Sequence, residues 1–222
     1  MQLLLPQGWL LFCLALALVL ITSLIMGMLS RRLYTDDVVI RKFDIMDLQL
    51  PASPREIPIL INGIYKLPKE KSESVIKALK THLYVDFIFM IGAYGAIFIL
   101  CMQLSHRMPT AGRDLFVMTA WLQIVPLLCD IIENVYLLGK IKLYTGSLKD
   151  VKDGFFKTYR WLVAIKWAIA LVATVGAISG VFYFWLSGQY SKSSLLWIGV
   201  VVGEIVLFVI TARLIPKEKE LH

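Results

Sequence analysis

Residues 8–29, from Gly8-Trp9-Leu10 to Met28-Leu29, contain no charged side chain. At about 1.5 Å per residue, such a helix reaches across the roughly 30 Å hydrocarbon layer of a bilayer. Four more apolar runs follow, over 83–104, 115–138, 161–186 and 195–212. Five runs of this length predict an all-α integral membrane protein. The expected architecture is a five-span transmembrane helical bundle, a single transmembrane domain over 1–222. With 58% hydrophobic residues and a mean hydropathy of +0.72, the chain lies far from a soluble domain.

The formal charge of +7 raises the possibility of a nucleic-acid partner. Position excludes it, because the basic residues collect between the apolar runs. Lys and Arg number ten in 31–82, six in 139–160 and three in 213–222, against Arg107, Arg113 and Lys192 in the other connections and at the other end. The positive-inside rule then puts the N-terminus outside and the C-terminus in the cytoplasm. No Lys or Arg precedes the first run, so it reads as an uncleaved anchor, with a cleaved signal as the alternative. Trp9, Trp185, Tyr190 and Trp197 fall at the outer interface of this arrangement, and Tyr84, Tyr136 and Trp161 at the inner one.

Residues 31–82 form the longest polar segment. The β-branched stretch from Asp37 to Leu50 predicts a short strand or extended piece. Ser53-Pro54-Arg55-Glu56 has the form of a capping box, with Pro at the first helical position. It predicts a helix from Pro54 that stops near Gly63. Ile57, Leu60, Ile61 and Ile64 make one face of that helix, suited to the membrane surface or the inner end of the bundle. A second helix from Lys69 should run on into the second span.

The span over 115–138 is unusual. It carries Asp130, Glu133 and Asn134 at spacings of three and four, which share one helical face. Gln123 and Pro126 extend that stripe. A carboxylate in hydrocarbon costs several kcal/mol unless it is partnered, protonated or wet. Other spans hold Asp86, Lys166 and Glu204. Counted from the basic ends of their helices, Asp86, Glu133 and Lys166 lie about 9 Å deep, and Asp130 and Glu204 about 13 Å deep. That match makes one shared cluster the expectation, with Lys166 nearest the third span. Four acids and one base cannot all stay ionised together in low dielectric, so protons, a cation or water must compensate. Oxygen donors of this kind suit Mg²⁺ or Ca²⁺ rather than zinc.

Phe43-Asp-Ile-Met-Asp-Leu-Gln-Leu-Pro-Ala-Ser-Pro54, Tyr84-Val-Asp-Phe-Ile-Phe89 with Tyr94, Asp130-Ile-Ile-Glu-Asn134 and Lys166-Trp167 follow one another in this order. Over about 40–170 the chain resembles a group of small multi-pass bacterial membrane proteins of unknown function with a D-x-x-E-N transmembrane motif. That resemblance supports the architecture and a bacterial inner-membrane location. It implies no chemistry.

Asp86, Asp130, Glu133, Asn134, Lys166 and Glu204 are the candidate ligand- or ion-binding residues. The first functional reading is a buried carboxylate/Asn/Lys cluster that binds a cation, a proton or a lipid headgroup. The alternatives are an accessory or assembly subunit in which the cluster only locks helices, and an enzyme acting on lipid headgroups. Phosphate-loop, dinucleotide and Ser-His-Asp signatures are absent from the sequence, so no cofactor is expected and the sequence assigns no catalytic residue. Cys13, Cys101 and Cys129 all sit in apolar runs as small hydrophobes. Gly176-x-x-x-Gly180 and Gly199-x-x-x-Gly203 let helices approach closely, within the subunit or, as the alternative, in a homo-oligomer or larger complex. The lipid bilayer is the one obligatory partner, and nucleic acid is not one.

Overall fold

The computed structural model describes residues 5–143, 154–189 and 192–215. Lys149, Lys152, Tyr190, Lys217 and Lys219, used above for charge and aromatic placement, lie outside the described residues. The chain runs α1 (Leu5–Ser30), β1 (Tyr34–Asp36), β2 (Ile40–Lys42), α2 (Ile45–Gln49), α3 (Glu56–Lys66), α4 (Lys69–Ser105), α5 (Thr110–Leu122), α6 (Ile124–Leu143), α7 (Phe156–Leu186) and α8 (Lys192–Leu214). Five helical stretches are long and apolar enough to cross a membrane: Gly8–Ser30, Lys69–Ser105, Thr110–Lys142, Phe156–Leu186 and Leu196–Leu214. These are the five expected spans.

The third span, Thr110–Lys142, is continuous as expected, with one turn residue, Gln123, between α5 and α6. Pro126 has no N–H to offer the Leu122 carbonyl, and its ring crowds that oxygen. The chain answers with a tight turn at Gln123, whose N–H reaches back to the carbonyls of Ala120 and Trp121. The Gln123 side chain donates to the Thr119 carbonyl at 3.1 Å. α6 then starts afresh.

The residues divide into two compact units. Of the described residues, one comprises 5–23, 88–128, 165–189 and 192–215; the other comprises 24–87, 129–143 and 154–164. The first unit packs Trp9, Leu100, Cys101, Leu104, Ala120, Ala177 and Phe184 together. Helix contacts here use small residues. A side chain at Gly92 would meet Val19 at 3.1 Å, and one at Gly180 would meet Leu104 at 3.0 Å. α8 contributes no buried position over 196–215. A Cβ at Gly199 or Gly203 would touch nothing within 4 Å, so the expected close approach within the subunit is not made there.

The second unit holds the larger polar segment, and here the structure corrects the sequence reading. Val38 and Val39, at the start of the expected extended piece, sit on the exposed tip of a hairpin. β1 and β2 pair antiparallel, Tyr34 with Lys42 and Asp36 with Ile40. Arg41 clasps Asp37 across the tip at 2.8 Å, which holds the Asp37 carboxyl below its usual range. Asp44 then caps α2 in a reciprocal box, accepting from Met46 N while Asp47 accepts from Asp44 N.

The helix expected from Pro54 exists, but it starts at Glu56 with Arg55 as N-cap and no side-chain cap. Pro54 and Arg55 form a turn instead, in which Ser53 contributes its carbonyl to Glu56 N, and Glu56 reaches back to Ala52 N. Gly63 does not stop the helix. It is buried inside α3, where any Cβ would overlap Thr35 Oγ1. The glycine serves close approach: Thr35 Oγ1 donates to the Leu60 carbonyl at 2.9 Å and ties β1 to α3.

Ile57, Leu60, Ile61 and Ile64 are all nearly sealed, in one core with Leu33, Phe43, Leu48, Leu79, Leu83, Leu137, Ile141, Tyr159 and Val163. Full burial of each such side chain is worth about 1.5–3 kcal/mol relative to exposure. That burial docks α3 on the helices of its unit.

Candidate functional site

The buried face of the third span is its polar face. Gln123, Pro126, Cys129, Asp130, Glu133, Asn134, Leu137, Lys140 and Ile141 are buried, while Leu128, Ile132 and Val135 on the opposite side are exposed. The three-and-four spacing in the sequence thus became a real stripe. Glu133 and Asn134 are 0% exposed, Asp130 7% and Asp86 9%.

Within the second unit, α4 brings Asp86 to this stripe. Asn134 Nδ2 donates to Asp86 Oδ2 at 2.7 Å, a short, fully buried contact. An amide donating to a carboxylate is stronger than a neutral pair, and stronger still in low dielectric. The Asn134 carbonyl oxygen has no hydrogen-bond partner among the described residues. Asp130 and Glu133 act electrostatically on the Tyr159 phenol. Tyr159 is itself sealed, donates to the Leu48 carbonyl at 2.9 Å and stacks on Tyr136 at 4.8 Å. Lys140 places its ammonium 5.0 Å from the Tyr136 ring.

Lys166 and Glu204 belong to the first unit. Lys166 is buried, with its ammonium 5.7 Å from the Trp167 ring. Glu204 is only half-buried on α8, where its charge acts on the Cys13 thiol. Its Oε2 has no hydrogen-bond partner among the described residues.

Two further residues join the second unit's polar set. His82 lies one turn before Asp86 on α4, 5% exposed, with Nδ1 lacking a hydrogen-bond partner among the described residues. Its i, i+4 spacing to Asp86 was the available signal. Tyr159 had none, since only tertiary packing brings it to the carboxyls.

The fold and the polar stripe define an all-α, multi-pass membrane protein with acidic residues buried in its spans. The chain matches no protein-family model, no curated protein and no solved structure.

Proposed function

We propose that the chain is a bacterial inner-membrane protein, N-terminus outside and C-terminus in the cytoplasm, whose buried carboxylate–Asn centre holds an exchangeable proton. The supporting observation is the balance of buried charge. Among the described residues of the second unit, Asp86, Asp130 and Glu133 are buried, and the buried lysine is Lys140. With that lysine credited, buried acidic groups still outnumber buried bases in the second unit. In low dielectric that excess is met by a proton or a small cation. Among the described residues no group of three His, Cys, Asp or Glu side chains is arranged to hold a metal ion, which favours the proton. The charge distribution of the connections and the likeness to small multi-pass bacterial proteins with a D-x-x-E-N span support the location and orientation.

The test is infrared spectroscopy of the protein in lipid vesicles. A protonated-carboxyl band is expected at neutral pH, and it should vanish in an Asp130→Asn, Glu133→Gln double variant. A wild type without the band, whose melting temperature instead rises with sodium or potassium, would establish a cation site.

A second reading has its own observation. The direct Asn134–Asp86 bond is also what an interhelical lock would use. In that case the protein is an accessory subunit, and the open Gly199 and Gly203 on α8 offer a face for a second copy or a larger complex.

A further inference from the structure

The second unit carries a line of acid–base groups between its water-exposed segment and the buried carboxyls. Asp44 stands at the exposed start of α2. Its flanking residues Phe43 and Ile45 pack in the same core as Leu79 and Leu83, which flank His82 on α4. The negative charge of Asp44 acts on the His82 imidazole. Asp86 follows His82 by one helical turn, on the same face. Asn134 joins Asp86 to α6 at 2.7 Å, where Asp130 and Glu133 share its stripe.

We propose that Asp44 and His82 form the entry by which protons reach the buried carboxyl centre through Asp86. The proposal rests on the proton reading above and adds its route.

The imidazole suits this position because its two nitrogens can take a proton on one side and release one on the other. His82 Nδ1 is buried and has no hydrogen-bond partner among the described residues, so that nitrogen is not committed to a structural bond. A structural histidine at 5% exposure would normally satisfy both nitrogens. Burial sets its environment first, and Asp44 from α2 is the charge that acts on it. Asp86 lies one turn further along the same face, so a proton taken up at His82 has a carboxyl ahead of it. In each step a proton leaves one base and joins the next: water to Asp44, Asp44 to imidazole, and imidazole to the Asp86 carboxylate. No other reactant is needed.

The experiment uses the full chain in lipid vesicles and follows the rate at which the protonated-carboxyl band shifts after transfer into heavy water. His82→Gln and Asp44→Asn should each slow that shift several-fold and leave the size of the band unchanged. Asp44→Asn keeps a good helix N-cap, so it tests the route without disturbing α2. The route is overturned if either variant exchanges at the wild-type rate. A wild type that shows no protonated carboxyl defeats the proton centre itself, and the route with it. A band with unaltered exchange defeats the route alone.

Discussion

Asn134 on α6 gives its amide proton to Asp86 on α4 across 2.7 Å, 48 residues apart in sequence and almost wholly out of water. Asn134→Leu removes that donor from a buried carboxyl. The expected cost is about 1–3 kcal/mol, read as a lower melting temperature in detergent. Adding Asp86→Leu should recover part of the loss, because both polar partners are then gone. Two strictly additive melting shifts would show that the residues do not depend on one another.

Gly63 tests the docking of β1 on α3. Gly63→Ala drives a methyl group into Thr35 Oγ1, next to the Asp36 backbone at 3.0 Å. Overpacking of this kind costs about 1–3 kcal/mol. Combined with Thr35→Ala, the variant should regain stability in a thermal melt, even though Thr35→Ala alone loses the bond to Leu60. An exposed helix glycine would behave oppositely, since alanine is the better helix former there.

Tyr65 gives a pH-dependent prediction. Its hydroxyl donates to the Ile141 carbonyl at 3.0 Å, and burial pushes the phenol above its ordinary value. A raised folded value means the stabilisation is complete below the unfolded pKa of about 10. It is lost as pH rises from there through the folded value. Tyr65→Phe should therefore be less stable than wild type by about 1 kcal/mol at neutral pH. The two melting curves should converge above pH about 10. A constant gap at all pH values would mean that the phenol does not titrate with unfolding.

Orientation is checked with reporters. A fusion after Arg213 should be active only as a cytoplasmic reporter, and one in the loop between α4 and α5 only as an extracytoplasmic one. The opposite pattern would reverse the proposed topology.

Much of the architecture was readable because hydrocarbon imposes length and polarity on a span directly. The α6 stripe was readable for the same reason: Gln123, Asp130, Glu133 and Asn134 have one face on which to be buried. The segment between α1 and α4 was harder to read. Val38, Val39 and Ile40 carry strand propensity, yet the first two occupy a hairpin tip whose shape is set by the Asp37–Arg41 clasp. α2 was invisible because its cap pairs Asp44 with Asp47, whereas the more familiar Ser53–Glu56 pattern was drawn into a turn by Pro54. Gly63 reads as a helix stop from sequence and becomes a contact surface once Thr35 lies on it. Tyr159 needed the fold, since its neighbours come from distant parts of the chain, whereas His82 could be placed beside Asp86 from spacing alone.

The core of the second unit has a consequence for synthesis. Leu33 through Leu67 emerge from the ribosome well before Leu137, Ile141, Tyr159 and Val163, with which they share that core. At about 5–20 residues per second, the wait for Tyr159 is roughly 5–20 s. Throughout that interval Ile57, Leu60, Ile61 and Ile64 have only α3's own neighbours and the nascent α4 to cover them. The newborn chain must shelter that face, against the bilayer surface or a chaperone, until α7 arrives. Slowing translation between α6 and α7 should lengthen the time in which this protein is open to proteolysis.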